Sequence, residues 1–402
     1  MKTLSRIVAP AAIAAGLIVS SSAGDAMTYG KLYDFGRFGN GISPYSRLTN
    51  LGGMLYGTTV GGGAGGANCS TISCGTVFAI DPTTASESVL YSFQGGTDGT
   101  IPYAGLVGVG TTLYGMTTGG GADEGTVFSV TTSGTEKVLY AFPNGGTKGA
   151  FPSGGFVRVK STLYGTAADG GKYGYGTLFK TTLAGKTTIL YNFKGAYNSA
   201  TDAGTPQASL ISVNGILYGT SAAGGGSGCG GRGCGTMFSF DPAKRVETML
   251  YAFPGASGGY GPTANLVDVG GTLYGTTEFG GNSTACRQGC GTVFKFVPKT
   301  KKLTILYKFA GGQDGANSTA GLTTVGSMLY GTTNLGGTSD QGTVFEITTA
   351  GKETVVYRFQ GTGSGNDGAN PVGGLLNVKG TLYGTTWQGG IWDAGTVYSI
   401  KP

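Results

Sequence analysis

The chain has 402 residues, of which 82 are glycine, 39% are apolar and only 11% are charged. So much glycine without a Gly-X-Y period excludes collagen, and the apolar share is too high for a disordered chain. The formal charge of +6 falls to about +4 once Lys2 and Arg6 are set aside, too mild a balance for a nucleic-acid partner.

At the N-terminus, Lys2 and Arg6 flank the start of an apolar run over residues 7–19, and Ser21, Ser22 and Ala23 follow as small residues. This is the pattern of a secretory signal, so residues 1–23 are expected to be removed and residues 24–402 to form one domain. The run is short for a bilayer span, and no later segment is long and apolar enough for one. A secreted or periplasmic monomer without a membrane span is expected.

Next comes an isolated Leu-Tyr-x-Phe segment at Leu32, and then a repeat. Leu-Tyr-Gly begins at Leu55, Leu113, Leu163, Leu217, Leu273, Leu329 and Leu382. Each copy is answered by Gly-Thr-apolar-aromatic, starting at Gly75, Gly125, Gly176, Gly235, Gly291, Gly342 and Gly395. Further segments of the Leu-Tyr-x-Phe type begin at Leu90, Leu139, Leu190, Leu250, Leu306 and Val356. With a shorter apolar run before each Leu-Tyr-Gly, every period holds four β-type runs bounded by Gly, Asn, Asp and Pro. The period is 50 to 58 residues, the length of a four-stranded propeller blade. The runs are apolar on both faces, as blades packed between two neighbours require, and no stretch holds a helical period.

The last repeat stops at the strand after Gly395 and lacks its own Leu-Tyr-x-Phe, while the chain begins with an orphan one. The orphan at Leu32 therefore completes the seventh blade and removes two open sheet edges. The expected fold is all-β, a seven-bladed propeller closed by its N-terminal strand. In the second repeat the four strands are expected at 106–109, 113–117, 126–130 and 138–142. The second-to-third loop and the crossing to the next blade are long and share one face, where binding or chemistry usually sits.

That face carries all six cysteines, as Cys69/Cys74, Cys229/Cys234 and Cys286/Cys290, at one place in the repeat. Two thiols per loop in a chain without histidine make no zinc set, so three local disulfides in an oxidising compartment are expected, stiffening long loops. The absence of histidine also excludes Ser-His-Asp and Cys-His catalysis. Carboxylates remain, and ten fall on the long-loop face: Asp98, Asp123, Glu124, Asp169, Asp202, Glu278, Asp314, Asp340, Asp367 and Asp393. Asp98, Asp314 and Asp367 share one repeat position before a glycine, Asp202 lies close to it, and Lys148 replaces the acid in another copy. The plain reading is turn chemistry. The functional one is a ring of carboxylates at the channel mouth, able to hold calcium or, as a pair, to hydrolyse a glycosidic bond. No other cofactor is expected.

Trp387 and Trp392 are the only tryptophans and share one loop. Other repeats place Val60, Thr118, Ala168, Ala222, Glu278 or Asn334 at the position of Trp387, so the blade does not demand a large aromatic there. The pair either packs the closing blade or offers a platform for a sugar ring. Lys244, Arg245, Lys299, Lys301 and Lys302 fall on turns of the opposite face, where they read as solvated charge.

The pattern of Leu-Tyr-Gly-Thr-Thr, Gly-Thr-Val-Phe and Phe-x-Gly-Gly-x-Asp-Gly resembles the GloVer tandem repeat of exported bacterial proteins. The resemblance implies export and a propeller and carries no activity. Three readings follow. The first is a secreted propeller that binds a glycan or another cell-envelope polymer through Trp387, Trp392, Asp393, Glu278, Asp314 and Asp367. The second is an extracellular polysaccharide-degrading enzyme, an Asp/Glu hydrolase or a lyase using Tyr and Lys. The third is a structural or protein-interaction scaffold.

Overall fold

The computed structural model describes residues 27–36, 39–66, 68–69, 74–199, 201–362 and 367–402; the expected signal segment lies outside them. Seven four-stranded antiparallel blades follow one another around a ring. In the second blade the strands are Val107–Val109, Thr112–Thr117, Thr126–Thr131 and Glu136–Ala141, innermost first, within one or two residues of expectation. The seventh blade uses both ends of the chain. Leu376–Val378, Thr381–Thr386 and Thr396–Lys401 are completed by Thr28–Asp34, which pairs with the last strand from Thr28↔Lys401 to Asp34↔Thr396. Small additions are a short strand, Ile42–Pro44, a four-residue helix, Gly195–Asn198, and 3₁₀ turns at Ala256–Gly258 and Gly312–Asp314.

The repeated motif is explained by what each residue touches. The glycine of Leu-Tyr-Gly lies opposite the aromatic of Gly-Thr-apolar-aromatic on the next strand, as in Gly57↔Phe78 and Gly331↔Phe345. A Cβ on Gly331 would sit 2.5 Å from Phe345 Cζ, closer than carbon atoms approach, so the ring lies where a side chain would be. That ring then meets the outer-strand Phe of the preceding blade edge-on. Phe93–Phe128, Phe142–Phe179 and Phe309–Phe345 have centroids 5.0, 5.3 and 5.1 Å apart. Such pairs contribute about 1 kcal/mol each beyond the area they bury. Phe35–Phe78, at 5.0 Å, makes the same contact across the seam where the ring closes.

The two threonines of Leu-Tyr-Gly-Thr-Thr divide their hydroxyls between two partners. The first reaches the next blade's backbone, as in Thr220 Oγ1 to Ala264 O (3.1 Å) and Thr385 Oγ1 to Ser46 O (3.2 Å). The second pairs within its own blade with the threonine of Gly-Thr, as in Thr117–Thr126 and Thr333–Thr343, both 2.8 Å. These hydroxyls are buried, so each must be satisfied inside the protein.

Candidate functional site

The crossings between blades deliver the chain to the ring axis in a fixed geometry. Each passes through a residue with left-handed backbone: Ser43, Ile101, Phe151, Thr205, Gly261, Asn317 and Asn370, with φ between 52° and 63°. The N–H of each donates to the preceding blade, for example Ile101 to Cys74 O (2.9 Å) and Asn370 to Gln341 O (2.8 Å). In six crossings a proline follows and lies on the glycine of Gly-Thr. A Cβ on Gly75 or Gly395, both near φ 95°, would stand 2.6 or 2.5 Å from the Cδ of Pro102 or Pro44. Proline and glycine therefore form one joint, and the residues just after it face the channel.

On the long-loop face the channel widens into a cavity of ≈ 830 Å³ lined by all seven crossings. The residue before the leucine or phenylalanine that precedes each inner strand reaches this cavity in every blade. Six of these are small or amide residues: Gly105, Gly155, Ser209, Asn265, Gly321 and Gly374. The seventh is Arg47. Ser209 Oγ accepts from Gly155 N (2.6 Å), and Asn265 Oδ1 accepts from Ser209 N (2.6 Å), which locks neighbouring blades. Arg47 Nε donates to Leu375 O (3.0 Å), across the closing seam.

Above this belt, Tyr45 and Tyr103 bring their ring centroids to 3.8 Å at a tilt of 34°. Burial raises both phenols, so both stay protonated at neutral pH. Glu278 and Asp169 also line the cavity, and burial lifts both carboxyls above their ordinary range. The Glu278 charge also reaches Tyr45 and Tyr103, although its blade is not adjacent to theirs. Phe151 and Ile101, 46% and 40% exposed, add apolar surface to the lining.

Of the six residues expected to bind ligand, only Glu278 lines the cavity. Asp314 and Asp367 instead bind their own blades, as Asp98 and Asp202 do. The tyrosine of Leu-Tyr-x-Phe donates to each: Tyr91 to Asp98 (3.0 Å), Tyr191 to Asp202 (2.8 Å), Tyr307 to Asp314 (2.7 Å) and Tyr357 to Asp367 (2.6 Å). The other oxygen takes a backbone N–H, from Ala310 to Asp314 (2.6 Å) and from Gln360 to Asp367 (2.8 Å). In the seventh blade Asn40 Nδ2 donates to Tyr33 in the same place. Asp393 sits at φ 52° and accepts from Gly389 N (2.9 Å), a turn contact matched by Asp340 and Gly336 N (2.7 Å).

The tryptophans are both exposed, Trp387 by 39% and Trp392 by 57%, at opposite ends of their loop. Trp387 N donates to Asn370 O (3.1 Å), the register in which Glu278 N donates to Gly261 O, so Trp387 stands on the rim of the mouth. Trp392 lies beside Gly36 at the end of the outer strand, and the preceding Ile391 N donates to Asp34. Among the described residues no three His, Cys, Asp or Glu side chains gather to hold a metal ion.

All three expected disulfides form: Cys69–Cys74, Cys229–Cys234 and Cys286–Cys290. Each staples a single loop, and its inner cysteine packs under a glycine of the crossing loop, such as Cys290 under Gly311. Three disulfides fit an extracellular or periplasmic protein. No helix among the described residues is long and apolar enough to cross a membrane.

The chain is similar in fold to several solved propellers. An oligogalacturonate lyase from Vibrio parahaemolyticus is 9% identical with a TM-score of 0.54, over 97% of this chain and 97% of that one. The GH74 enzyme of Niastella koreensis is 15% identical with a TM-score of 0.53, over 89% of this chain and 52% of that one. BamB from Moraxella catarrhalis is 13% identical with a TM-score of 0.51, over 90% and 85%. At such identities the likeness is one of fold. No curated protein sequence matches the chain. The Gloeobacter/Verrucomicrobia repeat matches residues 12–232 and 228–402, so the chain belongs to that repeat family.

Proposed function

We propose that the protein is a secreted or periplasmic propeller that binds a glycan or another cell-envelope polymer at the channel mouth of its long-loop face. The observation that carries this reading is the ≈ 830 Å³ cavity, where the Tyr45–Tyr103 pair stands with Glu278 and Asp169. Aromatic faces beside polar groups suit a sugar, which presents apolar C–H faces and hydroxyl edges. Trp387 extends the aromatic surface at the rim. In this reading Asp314, Asp367 and Asp393 shape the loops, and Trp392 lies away from the ligand. The test is retention of the oxidised protein on a panel of polysaccharides. Tyr103→Ala is expected to weaken retention about tenfold, the scale of a lost ring contact, and Glu278→Gln to weaken it less. Retention by none of the polymers, or retention unchanged in both variants, refutes a glycan site at the mouth.

An enzymatic reading draws on one observation: Glu278 and Asp169 line one cavity, and burial raises the carboxyl of each, as a general acid requires. The same incubation reads it. Release of new sugar ends that stops in Glu278→Gln makes the site catalytic, and intact polymer leaves it a binding site.

A further inference from the structure

The charges of the cavity are unevenly placed. Only Arg47, Asp169 and Glu278 among its lining residues carry charge, and Arg47 is the single cation. At its position the other six blades carry glycine, serine or asparagine, so the ring does not need a long side chain there. One N–H of the guanidinium is taken by Leu375 O. The terminal nitrogens make no hydrogen bond to protein among the described residues. No carboxylate there pairs with Arg47 either, since the two ion pairs are Lys31–Asp34 and Lys244–Asp241.

The surroundings strengthen the field of that charge. Leucines and phenylalanine line the wall, including Leu48, Leu106, Phe156 and Leu210. Asp169 and Glu278 reach the cavity from other blades, so Arg47 is the one place on its lining where an anion meets charge of the opposite sign. The free edge of a guanidinium presents two parallel donors that match the two oxygens of an oxyanion. Tyr45 stands two residues from Arg47 on the same crossing, so one segment supplies both ring and charge.

We propose that Arg47 is an oxyanion seat and that the ligand of the channel mouth is an acidic saccharide. Its carboxylate or sulfate meets the Arg47 terminal nitrogens, and its sugar ring lies by Tyr45 and Tyr103. This inference rests on the glycan reading above and narrows it to charged polymers.

The test compares three polymers of similar backbone: polygalacturonate, the same polymer with its carboxyls reduced to alcohols, and a sulfated galactan. Retention and titration calorimetry are read with wild type, Arg47→Ser and Arg47→Lys. Ser209 occupies the equivalent position in the fourth blade, so Arg47→Ser suits the ring. Wild type is expected to hold at least one charged polymer about tenfold more tightly than the neutral one. The preferred charged polymer identifies carboxylate or sulfate as the anion. Arg47→Ser erases the difference, and Arg47→Lys, which keeps charge and loses the fork, retains part of it. Equal binding of charged and neutral polymers, or a preference that survives in Arg47→Ser, overturns the assignment and leaves the glycan reading standing. Binding of none of the three also overturns the assignment, and the glycan reading is then decided by the wider panel of polysaccharides.

Discussion

At the scale of single residues, the repeat is a list of close approaches. The glycine of Leu-Tyr-Gly exists because a ring crosses it. On Gly331 a Cβ would meet Phe345 Cζ at 2.5 Å and Leu322 Cδ2 at 2.8 Å, both at the centre of a blade seam. Gly331→Ala is expected to destabilise the protein by about 2 kcal/mol through overpacking, read as a lower denaturant midpoint at unchanged slope. Gly326→Ala, with open space at a turn, avoids that clash and isolates the backbone penalty of its positive φ. Residues that recur in seven copies were legible in sequence, because each copy repeats the same contact. Arg47 was not. It departs from its six equivalents at a position just before a three-residue inner strand, too short for any hydrophobic period to mark the register. Aligning the seven copies on the leucine or phenylalanine that follows exposes it. The aspartates show the converse. Asp314 and Asp367 stand at one repeat position before a glycine, yet their tyrosine partners lie 7 and 10 residues earlier, across a chain reversal that spacing does not reveal.

At the scale of the strand, the seams between blades hold a second acidic feature. Glu87, Glu136, Glu247 and Glu353 occupy one position near the start of the outer strand in four blades. In each, Oε1 is buried without a hydrogen-bond partner. Burial raises Glu247 to about 8 and the other three to about 7, and the carboxylates of Asp98, Asp202 and Asp314 add to the rise in Glu136, Glu247 and Glu353. Blades whose preceding neighbour has Lys148 or Gly258 in place of the aspartate carry Thr187 or Leu303 instead of the glutamate. Acid therefore faces acid across three of these seams, those of Glu136, Glu247 and Glu353, and a proton between them relieves the repulsion. Because these folded pKa values exceed the ordinary 4.5, the folded protein binds more protons than the unfolded chain. The stabilisation is complete below about pH 4.5 and is lost as pH rises through about 7 to 8. Thermal midpoints are expected to be higher at about pH 5.5 than at about pH 8.5, with a smaller gap in Glu247→Gln/Glu353→Gln. An identical gap in that double variant assigns the pH dependence to other groups.

For the whole molecule, stability is a matter of closure. Six blades are continuous in sequence, whereas the seventh takes its outer strand from the other end of the chain. Removing residues 28–35 deletes the pairing to Thr396–Lys401 and the Phe35–Phe78 contact together. The last strand then becomes an open edge, a template for pairing with another chain. The shortened protein is expected to elute as oligomers or aggregate in size-exclusion chromatography with light scattering. A monomer with an unchanged melting midpoint shows the closing strand to be dispensable. This closure was legible because the orphan segment at Leu32 and the missing segment after Gly395 are complementary halves of one repeat.

The joining of the two ends also sets an order in time. Synthesis produces Thr28–Asp34 first and its partner Thr396–Lys401 last, so the seam that defines the ring is the final one available. Until then Thr28–Asp34 lacks the partner it has in the folded ring. The three disulfides bridge only 4 or 5 positions each and can oxidise in any order before the ring shuts. They impose no long-range constraint, so oxidation neither hastens closure nor traps a wrongly ordered ring. The meeting of two distant ends, with its loop-closure entropy, is the step expected to be slow.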